Sequence, residues 1–159
     1  MARPAGTGGA LRFEPDRFFL APTSGFGVVR NRAGRLVDRC AIDSDGRWDH
    51  AAGAVHFDET YAFASGRVEV LNWSFRPDPQ GRMSCSEAGA TTPVRAWTDG
   101  EEYRLRFRRQ GLPPFGGFQL TYDVRFTLMD PLLAMKQVDL KRLGLTLITL
   151  TAFHRRAPP

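Results

Sequence analysis

The chain has 159 residues, of which 42% are hydrophobic and 25% charged, the size and composition of a single globular domain. No apolar run reaches the roughly 18 residues of a membrane helix, so we predict no membrane-spanning helix. The net charge of +5 comes from arginines scattered between Arg3 and Arg156, and this scatter argues against a nucleic-acid partner.

The N-terminal residues carry no sign of export. The segment MARPAGTGGALRFEPD has neither an apolar signal-peptide core nor a lipidation cysteine, so we expect a cytoplasmic protein. A misassigned start codon that hides a leader stays open. Residues 1–10, rich in Gly, Ala and Pro, are predicted to form a disordered tail before a domain that spans residues 11–156.

Short segments of alternating apolar and polar residues follow this tail, separated by turn residues. The predicted strands of the first two thirds are 24–31, 35–43, 54–64 and 67–75, with weaker strands at 82–89 and 92–97. Predicted turns lie at 44–48, 65–66 and 98–102, where Gly, Asp and Ser are concentrated.

The last third contains the clearest strand pattern. In FQLTYDVRFTLMD, from Phe118 to Asp130, every second residue is large and apolar. Segments 102–109 and 144–156 are also predicted strands, and the arginines of 104–109 are interpreted as a solvated face, with a phosphate or anionic-lipid contact as the alternative. The segment 130–144 begins with the helix-start signal Asp-Pro, but a turn plus strand suits its surroundings equally well.

Eight to ten short strands joined by short links predict an all-β fold. Sequential hairpins favour a single antiparallel up-and-down β-barrel, because closure removes the exposed edges of an open sheet. In such a barrel one side-chain parity of every strand faces inward.

Few residues suggest catalysis or metal binding. Cys40 and Cys85 have no metal-ligand spacing and are predicted to be buried free thiols. His50, His56 and His154 have no partner at a spacing typical of a metal site or a catalytic triad, and we interpret all three as solvated surface residues. No nucleotide-binding or nucleophile motif is present, so we predict no metal and no cofactor.

Three blocks of the chain resemble one known bacterial family, domain of unknown function 3833, over about residues 13–156. They are FEPDRFF with GFGVVRNRAGRLVDRCAIDSDGRWD, the strand VHFDETYAF, and YDVRFTLMD with LGLTLITLTAFHRR. The resemblance implies a lipocalin-like (calycin-like) barrel without an established activity, and it favours turn plus strand for 130–144. It leaves open that related proteins are exported lipoproteins.

The chain departs from the pattern of that family at three places. Arg125 stands where the family tends to have tryptophan, Leu71 where it has arginine, and Lys136-Gln137 where it has Asn-Arg. If those polar residues carry a function, this chain has lost or altered it.

The strand pattern also predicts what the barrel interior contains. Tyr61, Tyr103 and Tyr122 lie on the apolar parity of their strands, and so does Glu59. These buried polar groups either satisfy one another in a filled barrel or line a cavity and hold the polar end of a ligand. The resemblance suggests Arg39 as the cation nearest Glu59, although its strand parity is ambiguous.

Three hypotheses for function remain open. The first is a binding module for a small apolar or amphipathic molecule, such as an acyl chain with an anionic or hydroxyl head. The second is an enzyme on the same barrel with Glu59 as general acid or base, and the third is a ligand-free structural or interaction unit. The oligomeric state stays open. The candidate ligand-binding residues are Glu59, Tyr61, Tyr103, Tyr122, Arg39 and Trp73, although tryptophans more often serve packing.

Overall fold

The computed structural model describes residues 11–111 and 116–158, which form one short helix and ten strands. The elements are α1 (Pro15–Phe18), β1 (Thr23–Asn31), β2 (Leu36–Asp49), β3 (Ala54–Phe63), β4 (Val68–Pro77), β5 (Met83–Glu87), β6 (Arg95–Asp99), β7 (Glu102–Gln110), β8 (Gln119–Asp130), β9 (Leu133–Arg142) and β10 (Leu145–Arg156). The tail predicted at residues 1–10 lies outside the described residues.

The strands form one sheet with the order β5-β4-β3-β2-β1-β10-β9-β8-β7-β6. All neighbours are antiparallel, and the pairing of β1 with β10 joins the two halves of the meander. Within the described chain no ladder joins β5 to β6, so this is the seam of a nearly closed barrel. The prediction of an all-β, up-and-down, lipocalin-like barrel of eight to ten strands is confirmed.

Side-chain alternation separates the core from the solvent. In β8 the buried residues are Leu120, Tyr122, Val124 and Phe126. On the outer face Asp123 accepts hydrogen bonds from Arg106 and Lys141, both at 2.8 Å. Arg104 and Arg106 therefore lie on the outer face in ion pairs, as expected of a solvated face, whereas Arg109 is mostly buried beside Glu87 and departs from that expectation.

The segment before β1 closes one end of the barrel with phenylalanines. The ring of Phe13 stacks on Phe126 with centroids 4.7 Å apart, and Phe19 stacks on Phe57 at 4.0 Å. The backbone of this segment crosses β2 at Gly46, where a Cβ atom would stand 1.7 Å from the carbonyl oxygen of Phe19. We call this end, with Phe13, Phe18 and Phe19, the plugged end.

The turn predicted at 44–48 is wrong, because β2 continues through these residues as far as Asp49. Ser44 pairs with Glu59, and Gly46 pairs with Phe57, in the ladder with β3. Gly46 is needed for the close approach of the plug segment rather than for a turn.

The segment 130–144 is a turn plus strand, as the resemblance implied. The Asp130 carboxylate accepts a hydrogen bond of 2.7 Å from the amide of Leu132, so the Asp-Pro signal starts a tight turn instead of a helix. At the other end of β9, Leu143 and Gly144 both have positive φ angles, 51° and 78°, which suits a two-residue hairpin.

Both cysteines are free thiols, Cys40 buried and Cys85 half-buried rather than fully buried. Burial raises the pKa of the Cys40 thiol to about 11, which keeps it protonated and unreactive at neutral pH. In the part of the chain that the structure describes, no helix has the length and apolar character needed to cross a membrane.

Candidate functional site

A buried ion pair lies in the middle of the barrel. The Glu59 side chain on β3 is completely buried, and its Oε1 atom accepts a 2.6 Å hydrogen bond from the Lys136 ammonium on β9. Lys136 also donates to the Tyr61 hydroxyl at 2.6 Å. The indole of Trp73 donates a longer bond of 3.4 Å to Glu59 Oε1. Glu59, Tyr61 and Trp73 therefore meet around a lysine from the opposite half of the sheet.

His154 lies on the other side of Glu59, toward the plugged end. Its Nε2 atom is 3.5 Å from Glu59 Oε2, and its ring stands edge-on to Phe19. The interpretation of His154 as a surface residue is wrong: it shares the inward parity of Ala152 and Leu150, and the plug covers it. His50 is exposed, and His56 is partly exposed beside Asp49 at 3.5 Å.

Burial sets the charges of this cluster. Desolvation by itself would raise the pKa of Glu59, but the neighbouring Lys136 ammonium reverses this and holds the pKa below its ordinary value. Desolvation lowers the pKa of His154 to about 4, so the imidazole is neutral at pH 7. Burial, together with the Glu59 carboxylate, raises the pKa of Tyr61 well above its ordinary value. We call Glu59, Tyr61, His154 and the cation Lys136 the central cluster.

The cation that faces Glu59 is Lys136 rather than Arg39. Arg39 is exposed on the outer face of β2, because it has the opposite parity to Cys40 and Ile42, which face inward. Lys136 alternates with Ala134 and Val138 on the inward parity of β9. This alternation could have predicted an inward-facing Lys136 from the sequence. It was not used because the sequence left the secondary structure of 130–144 ambiguous.

A cavity of about 70 Å³ lies beside the central cluster, toward the end of the barrel opposite the plug, where the β3–β4 and β9–β10 hairpins turn. We call this end the hairpin end. Tyr61, Trp73 and Lys136 form its polar wall. The remaining walls are mostly apolar and come from six strands: Val29, Leu71, Phe107, Leu120, Val124, Val138, Leu140, Ile148 and Leu150. In this part the cavity therefore combines an apolar surface with the Lys136 ammonium.

Two charged side chains, Arg67 just before β4 and Glu69 within it, lie at the hairpin end of this cavity. The Arg67 guanidinium lies over the Phe63 ring, 4.3 Å from its centroid. Burial raises the pKa of the Glu69 carboxyl, against the opposing influence of Arg109 and Arg67. Sequence reasoning missed Arg67 and Glu69, although both share the parity of Leu71.

The three tyrosines do not form one group. Tyr61 and Tyr122 both line the cavity, and Tyr122 stacks on Phe107 with centroids 5.0 Å apart. Tyr103 lies near the plugged end instead, 6.2 Å from the Phe13 ring, and its hydroxyl has no hydrogen-bond partner among the described residues. The structure therefore separates Tyr103 from the other candidate ligand-binding residues.

Two of the positions at which the chain departs from the family pattern belong to this site. Leu71 and Lys136 both line the cavity, and Leu71 is the cross-strand partner of Glu59. Arg125 lies on the outer face, with Nη2 at 3.9 Å from an Asp139 carboxylate oxygen.

Comparisons with known proteins support the fold and assign no activity. A family model described as "Protein of unknown function (DUF3833)" matches residues 7–156. Among solved structures, the S-type phycobiliprotein lyase CPES from Guillardia theta has a TM-score of 0.61 at 10% sequence identity, with 91% of each chain covered. No curated protein matches the sequence. At this identity the structural likeness concerns the barrel alone.

Proposed function

Because this chain belongs to the DUF3833 family of proteins of unknown function, we propose a function from its own interior: the barrel binds a small, mostly apolar molecule. The observation that carries the proposal is the cavity between the central cluster and the hairpin end. Natural ligand pockets are likewise mostly apolar, with a few polar groups that fix the orientation of the ligand.

Lys136 is the group best placed to hold the polar end of the ligand. A lysine ammonium has three N–H donors, and Glu59 and Tyr61 accept two of them in the described part of the chain. The third donor is available for an oxygen atom of a ligand in the cavity that Lys136 lines. An alkyl or short acyl chain with an oxygen-bearing head fits this arrangement.

The size of the cavity restricts the ligand. At about 70 Å³ the cavity is well below the roughly 300–1,000 Å³ of drug-sized sites. The ligand is therefore short, or its entry moves side chains at the hairpin end. Arg67 is the long side chain there whose displacement would lengthen the cavity.

The structural neighbour gives general support. It is a phycobiliprotein lyase, so a barrel of this architecture serves a recognition task in another protein. The alternative of an enzyme with Glu59 as general acid or base has less support, because Lys136 lowers the pKa of that carboxyl and Glu59 is not among the residues that line the cavity. Absence of any bound molecule would instead favour a ligand-free structural or interaction unit.

The proposal is tested by native mass spectrometry of the protein as purified, followed by NMR titration with straight-chain alcohols of increasing length. We expect a length optimum and a shifted Trp73 indole resonance, since Trp73 lines the cavity. Leu71→Phe should fill the cavity and weaken binding, whereas Val70→Phe, on the outer face of β4, should not. No bound mass and no shift at any chain length would contradict the proposal.

A further inference from the structure

We propose that Lys136 forms an imine with a small apolar aldehyde or ketone held in the cavity. The inference rests on the proposed function, because the carbonyl compound must first occupy the cavity. It adds a covalent step and names the substrate class of the site.

The position of Lys136 is the first argument. The chain has two lysines, and they lie on opposite sides of the barrel wall. Lys141 is on the outer face, 2.8 Å from Asp123, whereas the Lys136 side chain is only 1% exposed and lines the cavity. An amine on the inner face of the barrel can reach a carbonyl compound that the cavity holds, whereas an amine on the outer face cannot.

The surroundings of the Lys136 ammonium are the second argument. The Nζ atom lies 5.2 to 5.7 Å from the ring centroids of Tyr61, Phe126 and Trp73. It contacts one carboxylate, that of Glu59, at 2.6 Å. An apolar carbonyl compound in the cavity therefore meets an amine with an aromatic surround and one adjacent proton acceptor.

The reaction balances with the groups present. The Lys136 ammonium transfers a proton to Glu59, and the free amine attacks the carbonyl carbon to give a carbinolamine. The Tyr61 hydroxyl, which lines the cavity, gives its proton to the carbinolamine hydroxyl and takes the proton held by Glu59 in return. The hydroxyl leaves as water, and the amine nitrogen uses its lone pair to form the C=N bond. The products are a protonated imine and one water molecule, and the Glu59 carboxylate is restored as the counter-ion of the imine.

The cluster also suits the product. A protonated imine carries the same single positive charge as the ammonium, so the pairing with Glu59 at 2.6 Å is retained without a new buried charge. Tyr61, 2.6 Å from Lys136 Nζ, is placed to donate its hydroxyl hydrogen to the oxygen of the carbinolamine. Leu71, Val124 and Val138 offer the apolar wall for the remainder of the molecule.

The test is trapping of the imine in the complete, folded protein. The protein is incubated with hexanal and cyanoborohydride, which reduces an imine to a stable alkyl-lysine, and peptide mapping then locates the hexyl group. We expect the label on Lys136 in excess of the label on Lys141 and the N-terminal amine. Lys136→Arg should abolish the interior label and Lys141→Arg should not, and excess 1-hexanol should compete with labelling of Lys136.

The outcomes separate this inference from the proposed function. If 1-hexanol binds by NMR but Lys136 is not labelled above Lys141, the imine is refuted and the binding function stands. If neither compound enters the barrel, both are refuted. The wild-type comparison of the two lysines remains decisive if Lys136→Arg fails to fold, because Lys141 serves as the reference within the same molecule.

Discussion

The pairing of Lys136 with Glu59 is the residue-scale feature on which the interior depends. Moving either charge from water into the barrel is costly, and their mutual attraction with the added hydrogen bond to Tyr61 offsets that cost. Loss of one partner leaves the other charge buried and unpaired, which is worse than loss of both. The pair is therefore a strong constraint on which substitutions the interior tolerates.

This reasoning predicts a marked non-additivity. Lys136→Met should lower the free energy of unfolding by about 3–5 kcal/mol, because it leaves the Glu59 carboxylate buried without its cation. Glu59→Gln should also destabilise the protein. The double variant should be more stable than the sum of the single effects predicts. Urea denaturation of the four proteins measures the coupling. As a control, Lys141→Met should change stability by only about 0–1 kcal/mol, since its side chain is partly exposed.

The neutral state of His154 predicts a pH dependence of stability. Its pKa is about 4 in the folded protein, lowered mainly by desolvation, against an ordinary value of 6.5 when unfolded. Between these values the unfolded chain binds a proton and the folded chain does not, so stability falls as the pH falls through this window. The difference in pKa corresponds to a loss of roughly 3 kcal/mol in the free energy of unfolding by pH 4. Urea denaturation at pH 7 and at pH 4 measures this loss as a lower midpoint.

Two controls isolate this effect. His154→Leu should flatten the profile between pH 6.5 and pH 4, whereas the exposed His50→Gln should leave it unchanged. Glu59 affects stability at more acidic pH than His154. Because its pKa is lowered in the folded protein, its contribution to stability is present above its unfolded pKa of about 4.5 and is lost as the pH falls further. An unchanged slope in His154→Leu would show that another group titrates in the upper window.

At the scale of elements, the sequence predicted the strands well where alternation was clean. The alternation of β8 and β7 identified their buried faces, and with them the inward positions of Tyr122 and Tyr103. The prediction failed at Gly46, because glycine is typical of turns, whereas this glycine permits the close approach of the plug segment to β2. Lys136 and His154 were missed because a charged residue on an inward face is recognised only when its partner on a distant strand is known.

The plug predicts a sharp difference between two glycines. Gly46→Ala should destabilise the protein by about 1–3 kcal/mol, because its methyl group would stand 1.7 Å from the Phe19 carbonyl oxygen and would push the plug segment away. Gly116→Ala is the matched control, since no atom lies within 4 Å of its Cβ position and its φ angle is not positive. Urea denaturation compares them, and equal effects would show that the plug does not press on β2.

At the scale of the whole molecule, the barrel is weakest at the seam between β5 and β6. Among the described residues, a single bridge, Ala90 to Arg109, and the bond from the Thr91 amide to the Arg108 carbonyl tie the β5–β6 connection to β7 near one end of this seam. The fully buried Glu87 carboxylate also reaches across to the Arg109 guanidinium at 2.9 Å. Every other neighbouring pair of described strands is joined by an antiparallel ladder, so opening of the barrel should begin here.

The seam gives the prediction that tests this view of the whole barrel. Arg109→Met should leave Glu87 buried and unpaired, with only the amides of Asn72 and Gly89 as hydrogen-bond donors, and should speed amide exchange in β5 and β6. Exchange in β1 and β10, which pair along their length, should change little. Arg108→Met removes an exposed side chain from the same strand and controls for the loss of charge. Uniform acceleration across all strands in Arg109→Met would mean that the barrel opens as one cooperative unit and that its seam is not the point of entry.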